Sequence, residues 1–116
     1  MRALLIAVAL ATPALAAPEQ HPARLVGDYD GGQMEMAAAL ELTRDGHFRY
    51  ALSYGALDEI AAGQWTAEKD SVVLSVERYE CNDPSSDGKF GPSVLKIEDG
   101  ALTIPRYDRL VRFRKQ

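Results

Sequence analysis

The chain has one cysteine and two histidines in 116 residues, and each scarcity closes a route. With Cys81 alone no intramolecular disulfide can form, so packing must hold the fold. A lone thiol is either buried, paired with another chain, or reactive. The two histidines, His21 and His47, leave little material for nucleophilic or metal chemistry, and no serine stands in a Gly-x-Ser-x-Gly elbow. Positive charge is also short. The formal net charge is −4, and it becomes one unit more negative if Arg2 is removed with a leader. Such a chain has no global attraction to nucleic acid or to anionic lipid.

What is present begins with "MRALLIAVALATPALAA". Arg2 supplies a positive n-region, Ala3 to Ala11 an apolar run, and Ala14-Leu15-Ala16 a small-x-small cleavage site. This predicts a secretory signal peptide over residues 1–16, its apolar run too short to remain as a membrane anchor. No cysteine stands directly after the predicted cut, so lipid anchoring is not expected. The expected product is a periplasmic or secreted single domain over residues 17–116, of about 100 residues, enough for one core.

Within that domain the hydrophobic period is two. "MEMAAALEL" sets Met34, Met36, Ala38, Leu40 and Leu42 on one face, and "HFRYALSY" does the same with Phe48, Tyr50, Leu52 and Tyr54. Asp45-Gly46 between them suits a tight hairpin. Further strands are expected at Arg24–Tyr29, Glu59–Thr66, Ser71–Glu77, Val94–Glu98, Ala101–Ile104 and Tyr107–Arg114. Eight short strands without a convincing helix predict an all-β fold, an eight-stranded antiparallel up-and-down barrel or a meander sandwich. Eighteen sizeable inward positions, from Met34 to Phe113, argue for a filled interior. Ala38, Ala61 and Gly63 leave local room, with Trp65 as a candidate to occupy it.

A meander alternates its connections between two ends. One end collects the tight turns near Asp45-Gly46, Ala67–Asp70 and Asp99-Gly100. The other collects Asp30–Gln33, the stretch "GALDE", a long loop from Tyr79 to Ser93, and Pro105-Arg106. Loops on a rigid scaffold carry function, so Tyr54, Leu57, Asp58, Glu59, Cys81, Arg106 and Tyr107 form the candidate rim. Asp58 and Glu59 point to opposite sides of an extended chain and cannot act as an acid/base couple. Asp58 is expected to cap the turn and Glu59 to be solvated. Leu57 is read as a lid over the mouth or as a contact for a partner. The cations Arg106, Arg109, Arg112, Arg114 and Lys115 read as a charged strand face with a solvated tail. Cys81 and His47 fall at opposite ends, roughly 20 Å apart, which defeats a Cys–His nucleophile. Met34-x-Met36 resembles soft copper ligands but reads as core filler. "CNDPSSDG" does not fit a calcium loop.

The segment from Leu25 to Trp65 resembles a group of small uncharacterised exported proteobacterial proteins. Over Leu25 to Val76, the pattern G-x-Y…L-x-L…DG-x-F…G-x-W is similar to the lipocalin-like barrel of the copper-homeostasis envelope lipoproteins, the NlpE type. The resemblance implies a barrel. That family carries a Cys-x-x-Cys after its first strand and a lipidated N-terminal cysteine, whereas this chain has Asp30-Gly31-Gly32-Gln33 there. Copper sensing and membrane anchoring are therefore not implied. The expected function is a non-catalytic binding or interaction module, with no cofactor or metal, acting on a small ligand or an envelope protein. The alternative is a structural or envelope-stress protein with no small-molecule ligand.

Overall fold

The computed structural model describes residues 20–116. The predicted signal peptide, and the start of the predicted domain at residue 17, lie outside the described residues. A short 3-10 turn, Ala23–Leu25, leads into eight strands: β1 Gly27–Asp30, β2 Met36–Leu42, β3 His47–Tyr54, β4 Leu57–Ala67, β5 Ser71–Cys81, β6 Val94–Glu98, β7 Ala101–Arg106 and β8 Arg109–Lys115. Each pairs antiparallel with the next, and β8 returns to pair with β1, so the sheet closes as an up-and-down barrel. Of the two architectures the alternation predicted, the barrel is the one that forms.

Period-two alternation becomes burial directly. Phe48, Tyr50 and Leu52 on β3 are buried while His47, Arg49, Ala51 and Ser53 face water. Trp65, Phe48, Phe113, Leu95, Leu102, Ile104 and Val111 fill the interior, each no more than 1% exposed. The predicted membership of this core fails at Met34, which is 80% exposed. Gln33 and Met36 exchange both backbone hydrogen bonds at 2.9 Å around Met34-Glu35, so the chain reverses there and β2 starts two residues later than predicted. Only Met36 enters the core, and the two thioethers do not share a face.

Other boundaries move, and β5 runs on to Cys81, through the first residues of the predicted long loop Tyr79–Ser93. The stretch Tyr54–Leu57 is not a longer loop: Tyr54 pairs with Leu57, leaving Gly55-Ala56 as a two-residue hairpin. Gly55 has φ 63, matching the glycine-first geometry such turns require. Likewise Pro105 and Arg106 belong to β7, and the turn is Tyr107-Asp108. The last strand starts at Arg109, two residues later than predicted, and runs to Lys115, one residue past the predicted end, where it closes the barrel.

β5 contains the one register change with consequences for the site. Ala62 pairs with Arg78 but Gly63 pairs with Val76, so Glu77 is an extra residue, a bulge. Val72 and Leu74 face inward before it, and Tyr79 and Cys81 take the inward side after it. Gly63 permits this. A Cβ there would lie 2.1 Å from the Ser75 carbonyl oxygen, and 3.1 Å from Phe48. At Gly63 the predicted room is taken by the β5 backbone instead.

Candidate functional site

The tight-turn end of the barrel is closed by the segment before β1. The His21 ring meets the Trp65 indole edge-on with centroids 5.1 Å apart. The indole N–H donates to the Thr43 carbonyl at 3.0 Å, and the Ala67 N–H donates to the Gln20 carbonyl at 2.8 Å. His47 stands at the same end on the outer surface, 3.1 Å from Asp45. Neither histidine shares an end with Cys81, so no Cys–His pair is assembled.

The opposite end is closed by charge. Glu59 continues the inward row Trp65, Gly63, Ala61 on β4, and its side chain is fully buried. It accepts hydrogen bonds from the hydroxyls of Tyr50, Tyr79 and Tyr107 at 2.5, 2.6 and 2.7 Å. Arg106, the inward residue after Leu102 and Ile104 on β7, donates from Nη2 to both carboxylate oxygens at 2.6 and 2.8 Å. Its Nε donates at 3.1 Å. The expectation that Glu59 is solvated is therefore overturned. A carboxylate can be buried when its lone pairs are filled and a cation faces it, and both conditions hold.

The proton affinities follow from this arrangement. Burial pushes the Glu59 carboxyl up, but the Arg106 guanidinium and three tyrosine hydroxyls outweigh it and hold the group below the usual carboxylate range. Burial raises Tyr50 and Tyr79, and the adjacent Glu59 charge raises them further. Tyr107, pushed by the same two causes, rises to about 12. Burial lowers Arg106, but Glu59 dominates and the guanidinium is held firmly charged. Glu59 is thus a poor base and the tyrosines poor acids near neutrality.

Phe90, from the β5–β6 connection, packs over this cluster. Its ring lies 5.0 Å from Tyr50 and 5.7 Å from Tyr79, both edge-on, and the Arg106 guanidinium sits 4.6 Å from its centroid. The Tyr107 ring faces the same guanidinium at 5.1 Å. Tyr107 is a non-glycine residue with φ 58, a left-handed backbone that costs about 1 kcal/mol or more. That conformation accompanies a hydroxyl aimed at Glu59.

Of the seven predicted rim residues, Glu59, Arg106 and Tyr107 make direct contact. Tyr54 flanks them, its ring 6.3 Å from Tyr107, with the Arg109 guanidinium 5.1 Å from its centroid. Cys81 is half-buried and pairs with Glu59 in the β4–β5 register. Leu57, the first residue of β4, is half-buried and packs against the core. Asp58 faces outward, accepts from the Ser53 hydroxyl at 2.6 Å, and takes no part in the cluster. The Asn82 side chain clamps this hairpin, accepting from the Asp58 N–H at 2.8 Å and donating to the Ala56 carbonyl at 3.0 Å.

Sequence reasoning missed Tyr50 as a polar participant, and missed Tyr79 and Phe90 altogether. Counting by twos from Trp65 would have found Glu59, and from Leu102 would have found Arg106. Tyr79 was hidden, because uninterrupted alternation from Val76 puts it outside. Among the described residues no group of three or more His, Cys, Asp or Glu could hold a metal ion, and no helix is long and apolar enough to cross a membrane. Comparison with protein-family models, with curated proteins and with solved structures finds no match to this chain.

Proposed function

We propose that this protein is a non-catalytic binding or interaction module of the bacterial periplasm that works through the long-loop end of its barrel. The observation that carries the reading is the concentration of chemistry at that one end. Arg106, held between Phe90 and Tyr107, stands beside the longest connection of the barrel, while the opposite end is closed by hairpins and an apolar lead-in. The interior is filled by Trp65, Phe48 and Phe113, which favours a ligand at the rim over one in the lumen. Saturation of Glu59 by five donor groups favours binding over acid–base catalysis. The leader-like residues 1–16 support export, and the acidic balance argues against nucleic acid.

Thermal denaturation in the presence of lipids, metal ions and peptidoglycan fragments tests the reading. One class should raise Tm, and the rise should vanish in Phe90→Ala. No shift from any class, together with no protein retained from an envelope extract, defeats it and leaves a purely structural envelope role.

A further inference from the structure

β5 is eleven residues long and β6 only five. Their pairing covers Ser71–Val73, and one further backbone bond joins the Leu74 N–H to the Ser93 carbonyl at 2.8 Å. From Ser75 to Cys81, β5 has β4 on one side and, among the described residues, no strand on the other. The Asn82 N–H donates to the Asp58 carbonyl, which makes Glu59 and Cys81 a non-hydrogen-bonded pair of the ladder. By alternation Ala61 and Tyr79 are another. Residues in such pairs turn their own N–H and C=O toward the opposite edge. Tyr79 and Cys81 thus aim four backbone polar groups into the lane that a longer β6 would fill.

The chain is unable to fill that lane itself. Pro92, just before β6, and Pro105, on the facing part of β7, have no N–H to give. Gly88, at φ 75, bends the connection out of extended geometry. Between β5 and this connection lies a groove of about 370 Å³. Leu74, Val76, Tyr79 and Phe90 supply its apolar lining, and Arg78 and Lys89 its cations. Glu77, the acid on this wall, is engaged by Gln64 at 2.9 Å. The Ser75–Cys81 edge spans roughly 20 Å, room for a strand of five or six residues.

Arg106 lies beside the groove, against Phe90 and Gly91 of its lining. Its Nε and Nη2 are spent on Glu59, while Nη1 makes no hydrogen bond within the described residues. A Cβ on Gly91, which lines the groove, would lie 2.5 Å from Nη1. Glycine there keeps that nitrogen reachable.

We propose that the free edge of β5 docks an extended peptide that adds as a strand beside Ser75–Cys81 and places its C-terminal carboxylate on Arg106 Nη1. The proposal rests on the binding-module reading and names its ligand class. Backbone donors and acceptors repeating at strand spacing are complemented by another extended backbone, and an unused guanidinium N–H is complemented by a carboxylate oxygen.

The test uses a fluorescein-labelled hexapeptide of alternating valine and threonine with a free C-terminal carboxylate. Its C-terminal amide and a form N-methylated at alternate residues are the controls. The acid should bind about tenfold more tightly than the amide, and the N-methylated form should not bind. In the free protein the Tyr79 and Cys81 amides should exchange with solvent faster than the Glu80 amide, which bonds to β4. The acid peptide should slow both. Gly91→Ala, with an otherwise unchanged amide spectrum, should abolish the acid–amide difference and leave the amide's affinity intact. Failure of every peptide at millimolar concentration overturns the proposal, as does equal binding of the N-methylated form or binding that leaves Tyr79 and Cys81 exchanging fast. Concentration-dependent dimerisation that protects those amides, with no competition by peptide, assigns the edge to a second copy and also overturns it. If small-ligand thermal shifts persist while the peptides fail, the binding-module reading stands and this assignment alone falls.

Discussion

The two ends of this barrel are closed by opposite physics. At the tight-turn end, His21, Leu25 and Trp65 form an apolar and aromatic stopper with a few backbone hydrogen bonds around it. At the long-loop end, Glu59 and Arg106 form an ion pair wrapped by Tyr50, Tyr79, Tyr107 and Phe90. An apolar stopper gains stability from each buried group nearly independently. An ionic stopper does not, because its charges are tolerable inside only while all partners are present. The first kind of closure degrades gradually, whereas the second is nearly all-or-none. The second also leaves directional donors at its margin, which is where a ligand can be read.

The largest expected effect separates the two closures. Arg106→Leu leaves Glu59 buried without its cation and should cost about 3–5 kcal/mol in urea unfolding. The double replacement Glu59→Leu/Arg106→Leu should be markedly more stable than that single variant. If the two costs simply add, the closure is not cooperative. Trp65→Ala at the other end should cost a comparable 3–5 kcal/mol as a cavity. That loss involves no buried ion pair, which makes it the control.

Acid and alkali give the next contrast. Glu59 is depressed in the folded state, so its stabilisation is present above the unfolded carboxylate value of about 4.3. That contribution disappears as pH falls through the lower folded value. Tm of the native protein should therefore drop on acidification below about pH 4, with a shallower acid slope in Glu59→Gln. Tyr107 is raised to about 12 from an ordinary 10.0. Its protonated form is favoured by folding, so stability present below pH 10 should be lost between pH 10 and about 12. Tyr107→Phe should flatten that alkaline limb, read as tyrosinate absorbance against the unfolding signal.

The smallest effect belongs to the tight-turn end. His21→Ala removes one edge-on aromatic contact at a half-buried site and should lower stability by about 0.5–1.5 kcal/mol. A loss comparable with that of Arg106→Leu would erase the distinction drawn between the two ends.

Much of the fold was legible because burial in a barrel repeats every second residue. Phe48, Tyr50 and Leu52, or Leu102 and Ile104, alternate with polar neighbours in a way no helix would satisfy. The same count carried far enough also reaches Glu59 and Arg106. Their hydrophilic chemistry disguised them, since a carboxylate and a guanidinium near loops are ordinarily solvated. Met34 was misread for the reverse reason: alternation continued past a reversal that nothing in its own residues announces.

What the sequence determined by itself is the strand pattern, the meander order and the assignment of connections to two ends. All three rest on local alternation and on turn residues such as Asp45-Gly46 and Gly55. Only the tertiary structure decided that Glu59 and Arg106, 47 positions apart, meet inside the barrel. It also decided that Tyr79 joins them, because the bulge at Glu77 reverses which side of β5 faces inward. That reversal depends on Gly63 of the neighbouring strand letting the β5 backbone approach closely. Such a requirement is a relation between two strands, and the residues of either strand alone do not express it.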